Sequence, residues 1–176
     1  MAEGKALVVI AAQVNDHNIG RIRLHRVADA SADSLEPAVQ QAVVTGSIVH
    51  TDGWNGYNRL KALGYYAHEV VRKNADVGDN LLPHCNRVAT LLKRWLIGTH
   101  QGAVSHDHLD YYLDEYTFRF NRRASRYRGK LFYRLIQQAV VIDPVRYSDL
   151  VTHTRGPKPK TQHMEDGWVK GISQKS

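Results

Sequence analysis

The 176 residues of the chain are enough for one domain with a hydrophobic core and too few for two ordinary ones. A hydrophobic fraction of 43% with 23% charged residues is typical of a soluble globular protein and argues against a disordered or membrane-spanning chain. The 24 Lys and Arg against 17 Asp and Glu give a net charge of +7, which favours phosphate-rich partners. Many basic proteins bind no nucleic acid, so charge alone leaves DNA binding open.

Cysteine content and the first residues bear on the compartment. Cys85 is the single cysteine, which excludes an internal disulfide and fits a reducing cytosol. The chain does not begin with the basic and then apolar pattern of a secretory signal, so we expect a cytoplasmic protein with no membrane partner. Cys85 with His100, His106 and His108 suggests zinc, but their spacing does not form the paired ligands of structural zinc sites.

The first two predicted elements form a β-hairpin. Residues 6–13 are a short apolar run rich in β-branched side chains, as expected of a strand buried on both faces. Residues 15–20 are rich in turn formers. Residues 21–27 then alternate polar and apolar side chains, which predicts an antiparallel strand with one wet face.

A helix and several short elements are predicted next. Asp33 or Ser34 is expected to cap the helix, with Pro37 in its first turn and Gly46 as a left-handed stop. The elements that follow are a strand over 47–52, a helix over 54–63 ended by Gly64, a strand over 68–71 and a loop over 72–82.

The second half of the chain is predicted to be helical. Apolar side chains recur at helical spacing over 88–96, where Gly98 is expected to end the helix, and again over 109–120 and 131–139.

The order of these elements predicts an α/β or mixed α+β sheet covered by helices. From about Thr152 the periodicity vanishes and the composition is typical of disorder. We therefore predict a folded domain over residues 1–145 and a basic, disordered tail over 146–176.

Asp52 is the first residue with a candidate chemical role. It stands where a predicted strand meets a loop, the edge at which open α/β sheets usually build their sites. The alternative is that its carboxylate accepts backbone N–H groups of the next segment, the commoner role for an acid at such a position. The residues alone leave both roles open.

Several blocks of the sequence resemble the ISXO-like insertion-sequence transposases of the DDE superfamily. Residues Thr51 to Tyr57 look like the second catalytic aspartate segment of that family. The other matching blocks are 91–102, 108–109, 112–123 and 131–135, so the resemblance spans roughly residues 5–140. It implies a ribonuclease H-like fold and a bacterial enzyme that excises and inserts an element with terminal inverted repeats. Its partners are then DNA, as transposon ends and as target.

The resemblance also implies a site in which three acidic side chains hold two divalent ions, Mg²⁺ or Mn²⁺. Asp52 matches the second of these ligands. Asn86 matches the third; it lies seven residues before Lys93, on the same helical face, and its amide would bring no charge. Asn is also a favoured residue at a helix start, which is the alternative role for Asn86.

The first metal-binding aspartate of the family has no counterpart here, because neither Glu3 nor Asp16 occupies the matching position. The resemblance thus implies that the chain is truncated at its N-terminus and lacks the strand that carries this ligand. We expect little or no strand transfer by the chain alone. A second copy or an intact transposase is the candidate partner.

Basic side chains are the predicted DNA contacts. Lys93 matches a lysine that is thought to contact phosphate near the scissile bond, and Arg94 is next to it; a solvated helix face is the alternative. A cluster interleaved with Tyr127 is predicted to follow the phosphate backbone, with a solvated surface again the alternative. Its members are Arg119, Arg122, Arg123, Arg126, Arg128 and Lys130.

Two other functions remain open beside metal-dependent transposition. The first is a non-catalytic DNA-binding remnant of a transposase, which would keep the basic surface without the chemistry. The second is an RNA-cleaving ribonuclease H relative, which would share the fold and the ion chemistry. The second is disfavoured because the matching blocks are those of transposases.

Overall fold

The structure is a computed structural model that describes residues 6–69, 81–102, 104–144 and 146–151. The chain divides into two compact units, residues 1–125 and residues 126–176, and each is described by itself. None of the described helices combines the length and the apolar character needed to cross a bilayer.

The predicted hairpin is confirmed. β1 (Leu7–Asn15) pairs antiparallel with β2 (Asn18–Val27), and the register shifts where β1 approaches the turn. Ile22 and Leu24 are buried while Arg21 and Arg23 are exposed, so β2 has the predicted wet face.

Helix α1 (Ala32–Ala42) begins and ends earlier than predicted. Its N-cap is Ser31, because the extended backbone there lets the hydroxyl accept the N–H of Ser34 at 3.3 Å. The prediction of Asp33 or Ser34 as cap was therefore wrong. Pro37 lies inside the helix rather than in its first turn, so one backbone bond is missing there. Gly46 has the predicted positive φ of 89° but lies beyond the helix end.

The predicted helix over 54–63 is absent from the structure. A 3₁₀ turn covers Asn55–Tyr57, and hydrogen-bonded turns continue from it to Gly64. Bonds of the tighter kind recur here, such as the N–H of Leu60 to the carbonyl of Tyr57 at 3.1 Å. Gly64 ends the segment with a φ of 86°, as predicted.

This turn segment joins two parallel strands, β3 (Ile48–Thr51) and β4 (Tyr66–Glu69). The predicted strand over 68–71 therefore starts two residues early, while residues 70 and 71 and most of the predicted loop, 72–80, lie outside the described residues. Within the described ranges the strands form two separate two-stranded sheets, β1–β2 and β3–β4, instead of one. The mixed α/β class is confirmed.

Two helices complete the main core of the first unit. α2 (Pro83–His100) and α3 (Leu109–Asn121) pack on the hairpin, with Val88 and Leu113 fully buried against it. α2 runs through Gly98, which was wrongly predicted to end it. Gln101, with a φ of 50°, provides the left-handed end instead.

A smaller core lies between α1 and the turns that follow β3 in the chain. Val39, Leu60 and Tyr65 are buried together, and the Tyr65 hydroxyl donates to the carbonyl of Val43 at 3.0 Å. Leu60 is fully buried, so this cluster fixes the turn segment against α1 without any helix in that segment.

The second unit contains α4 (Arg128–Ala139), which confirms the predicted helix there, and a short α5 (Tyr147–Val151). The described side chains of α4 are exposed or half-buried. α5 falls at the start of the predicted tail, and the rest of that tail lies outside the described residues. The boundary between domain and tail at residue 145 stays a prediction.

Candidate functional site

Asp52 follows β3 directly and is half-buried, beside the buried Thr51. Its Oδ1 accepts the backbone N–H of Trp54 at 3.1 Å, and the Thr51 hydroxyl accepts that of Gly53 at 3.4 Å. The Asp52 carboxylate therefore accepts a backbone N–H of the next segment, which was the alternative role considered for it from the sequence. It does so at the carboxyl end of a parallel strand, where a ligand site was also expected.

The two glycines after Asp52 shape the loop. Gly53 has a φ of 75°, a conformation that glycine adopts without strain. Gly56 is buried, and a Cβ there would lie 2.6 Å from Cδ1 of Leu35 and 2.8 Å from the carbonyl oxygen of Ala30. The close approach at Gly56 lets the Trp54 indole reach the same carbonyl, to which its Nε1 donates at 2.8 Å.

Tyr57 lies in the same loop as Asp52 and is half-buried. Burial raises the pKa of its phenol, and the negative charges of Asp52 and then Cys85 raise it further.

The first turn of α2 is tied to the hairpin. The Cys85 thiol donates to the carbonyl of Ile10 in β1, with sulfur and oxygen 3.6 Å apart. Burial raises the pKa of the Cys85 thiol, and a bond from the backbone of Ala12 offsets part of that effect. The Cys85 bond therefore ties the first turn of α2 to β1, next to the exposed Asn86.

Asn86, Lys93 and Arg94 are all exposed along α2. The N–H of Asn86 donates to the carbonyl of Leu82 at 2.9 Å, and the carbonyl of Asn86 accepts the hydroxyl of Thr90 at 2.9 Å. The backbone of Asn86 is thus part of the helix start, and its side chain lies on the solvent side with Lys93 two turns further on.

The described residues do not fit a two-ion centre by themselves. No group of three or more His, Cys, Asp or Glu side chains that would hold a metal ion occurs within the described ranges. The two predicted ligands provide one carboxylate, from Asp52, and one neutral amide, from Asn86. Divalent ions of the Mg²⁺ type take oxygen ligands and are normally balanced by several carboxylates.

The side chains considered for zinc have other contacts. The His100 ring packs against Trp95 and Tyr112, with centroids 4.7 and 4.5 Å apart. Nδ1 of His108 lies 3.1 Å from the Ser105 hydroxyl.

The basic cluster is divided between the two units, and its first half is engaged within α3 and β2. Arg119 pairs with Glu115 at 2.8 Å, and the Arg122 guanidinium lies 3.9 Å from the centroid of the Phe118 ring. Arg123 donates to the carbonyls of Gly20 and Ile19 in β2.

The second half of the cluster belongs to the second unit. Arg126, Arg128 and Lys130 are exposed. The ammonium group of Lys130 lies 4.9 Å from the centroid of the Tyr127 ring, which is also exposed. Arg123 is also exposed, but its guanidinium already bonds to backbone carbonyls.

Trp54 and Tyr57 were not singled out as functional from the sequence. Both lie in the aspartate segment that carried the resemblance, so their place close to Asp52 was a usable signal. Cys85 was considered only for zinc, because its bond to β1 depends on the packing of α2.

Together these features define a basic, mixed α/β domain with a carboxylate at the end of a parallel strand and exposed Lys and Arg side chains on α2. The model of the ISXO2-like transposase domain matches residues 1–121. The chain belongs to the family of ISXO2-like transposase domains. No curated protein and no solved structure matches the chain. Membership of this family supports a function in DNA transposition and implies DNA binding, and DDE transposases generally use divalent metal ions.

Proposed function

We propose that the chain is the catalytic-core portion of a DDE-type transposase with a ribonuclease H-like fold. In this proposal the complete enzyme cleaves DNA and transfers strands of an insertion sequence with divalent ions. The chain alone is inactive or impaired. The observation that carries the proposal is the place of Asp52, at the end of β3 in a domain of this family.

The predicted ligands are the reason why we propose that the chain alone is inactive or impaired. Asp52 and Asn86 would hold Mg²⁺ or Mn²⁺ with a single negative charge between them, which balances one of the four charges of two such ions. A further carboxylate would have to come from a segment outside the described residues, from a second copy or from an intact transposase.

The hairpin has an edge on which such a segment would pair. Within the described residues β1 pairs with β2 alone, and its residues Leu7 to Ala12 carry no charge. Native proteins normally protect an edge strand with charged residues, proline or a covering element. Side chains already bond to both edges: Asn121 and Arg123 to the backbone of β2, and the Cys85 thiol to the Ile10 carbonyl and the Ala12 backbone of β1, so a segment would pair only with the rest of β1.

DNA would be held by the exposed basic side chains. Lys93 and Arg94 lie on the helix that carries Asn86, so they would contact phosphates near the site. Arg126, Arg128 and Lys130 would contact the backbone elsewhere, with little sequence preference. Arg119, Arg122 and Arg123 would contribute mainly through the field of their charges, since they already have partners in the protein.

Cleavage assays on a pair of proteins test the proposal. The chain and a version extended upstream to include an Asp-Glu strand are each incubated with a duplex that carries an inverted repeat, in Mg²⁺ and in Mn²⁺. We expect nicking by the extended protein alone. In the extended protein Asp52→Ala should abolish nicking and keep salt-sensitive DNA binding. If that variant still nicks DNA, Asp52 is not a metal ligand and the proposal fails.

A second candidate is the non-catalytic DNA-binding remnant. The incomplete donor set of the described residues favours it. The same assays separate the two functions, because a remnant binds DNA in both versions and nicks it in neither. Asn86→Asp adds a negative charge at the predicted third ligand and is a matched gain-of-function control. Nicking by this variant of the extended protein, but not by the same variant of the original chain, would favour the enzyme.

A further inference from the structure

The indole of Trp54 is exposed next to Asp52 although its position is fixed. The residue is 53% exposed, two positions after the aspartate. Its backbone N–H donates to the Asp52 carboxylate at 3.1 Å, and its carbonyl accepts the N–H of Tyr57 at 3.0 Å. The backbone of Trp54 and the Asp52 carboxylate are therefore held in one short turn.

The ring itself is fixed by two further features. The indole N–H donates to the carbonyl of Ala30 at 2.8 Å, which ties it to the loop before α1. A Cβ on Gly56 would lie 3.1 Å from Cδ1 of the indole, so the ring packs closely over this glycine. The polar groups of Trp54 are thus engaged by the protein, and the part left in water is apolar ring surface.

Exposed aromatic carbon in a fixed position is unfavourable for the free protein, since covering such surface stabilises a complex. Trp95 shows the ordinary arrangement, with its ring packed on His100 and Tyr116. Among the residues that the structure describes, no aromatic ring packs on Trp54. The arrangement fits a ligand with a flat face that arrives at Asp52.

We infer that Trp54 stacks on an unpaired nucleobase of the DNA strand whose phosphate lies at Asp52. This inference rests on the proposed function, and it adds a base-binding position to it. A base within a duplex has both faces covered by its neighbours, so only an unpaired base offers a face to the indole. The net charge of +7 favours a nucleic acid over an apolar protein surface as the ligand.

Binding to tailed and blunt duplexes tests the inference without any chemistry. The full chain is titrated in Ca²⁺, so that a divalent ion can lie between the Asp52 carboxylate and the phosphate, with a short blunt duplex and with the same duplex carrying a single-stranded 3′ tail. The first unpaired base of the tail is 2-aminopurine, whose fluorescence falls when it stacks. We expect quenching on binding, and tighter binding of the tailed duplex. Trp54→Ala should abolish the quenching and weaken binding of the tailed duplex by about tenfold, with the blunt duplex unaffected.

Trp54→Phe separates stacking from anchoring, because it keeps a flat ring and loses the N–H bond to Ala30. It should keep most of the tail preference. Tyr111→Ala, which removes another exposed aromatic ring of the same unit, should change neither affinity. Equal losses for tailed and blunt duplexes in Trp54→Ala, or no quenching in the native chain, would overturn the inference. If the native chain binds neither duplex, the proposed DNA-binding function itself fails.

Discussion

The side chain of Asn121 bonds both backbone groups of Ile22, as a neighbouring strand would. Its Oδ1 accepts the N–H of Ile22 at 2.7 Å, and its Nδ2 donates to the carbonyl of Ile22 at 3.0 Å. The two residues are 99 positions apart, and Ile22 is 1% exposed at the centre of the main core. One amide at the end of α3 therefore closes the outer edge of the hairpin and fixes the helix on it.

This pairing predicts that Asn121→Ala lowers the free energy of unfolding by about 2 kcal/mol, because two partly buried backbone groups lose their partners. Asn121→Asp should be no better, since a carboxylate oxygen would then face the carbonyl of Ile22. Urea denaturation measures both. Asn58→Ala, at an exposed position, is the control and should change stability by less than about 0.5 kcal/mol. Equal effects at the two positions would mean that the paired bonds contribute nothing.

The two glycines Gly56 and Gly98 should respond to alanine in opposite directions. Gly56→Ala should destabilise the protein by about 1–3 kcal/mol, since the added Cβ meets Leu35 and the carbonyl of Ala30 at less than 3 Å. Gly98→Ala should stabilise it by about 0.5–1 kcal/mol, because the site in α2 is open and alanine favours the helix. Thermal unfolding of the pair checks both signs. A stable Gly56→Ala would show that the loop can move away from Trp54.

The Cys85 thiol should react slowly with alkylating reagents near neutral pH. Burial raises its pKa, so the reactive thiolate is scarcer than in a free cysteine. Cys85 is the single cysteine, so iodoacetamide reports on it alone. The rate should keep rising at pH values where free cysteine has reached its plateau, and it should increase on unfolding in urea. A plateau at the same pH as free cysteine would contradict the prediction.

The same pKa shift has a consequence for stability. The folded state keeps the thiol proton to higher pH than the unfolded state does. The contribution is therefore complete below the ordinary pKa of a thiol and is lost as the pH rises through the folded pKa. Urea denaturation of the native chain and of Cys85→Ser, compared from neutral to alkaline pH, should show a smaller decline for the variant. An identical decline would assign the effect to other groups.

Two arginines of the basic cluster should behave differently. Arg126→Ala should weaken DNA binding and reduce the slope of log affinity against log salt by about one, with stability unchanged. Arg123→Ala should lower the free energy of unfolding by about 1–2 kcal/mol, because its guanidinium bonds the carbonyls of Gly20 and Ile19. Fluorescence anisotropy at several salt concentrations, with denaturation in parallel, separates the two. An unchanged salt slope in Arg126→Ala would remove that residue from the DNA contacts.

Local patterns were sufficient for much of the fold. The hairpin, α3, α4 and the left-handed glycines at 46 and 64 follow from periodicity and from turn chemistry, both of which operate over a few residues. The place of Asp52 at a strand end was predictable for the same reason. The family was predictable because the blocks that carried the resemblance are contiguous in sequence, and the match over residues 1–121 bears it out.

The tertiary structure decided what depends on residues far apart in the chain. The segment after Trp54 has a helical pattern, yet burial of Leu60 against α1 holds it in turns. Arg123 and Arg126 look alike in sequence, and only the structure shows that Arg123 bonds to the carbonyls of β2. The sequence by itself determined the family and most local elements, because both depend on residues that are neighbours in the chain. It also determined the net charge, which depends on composition alone. Packing alone brought Cys85 to β1, because periodicity carries no information about which surfaces meet.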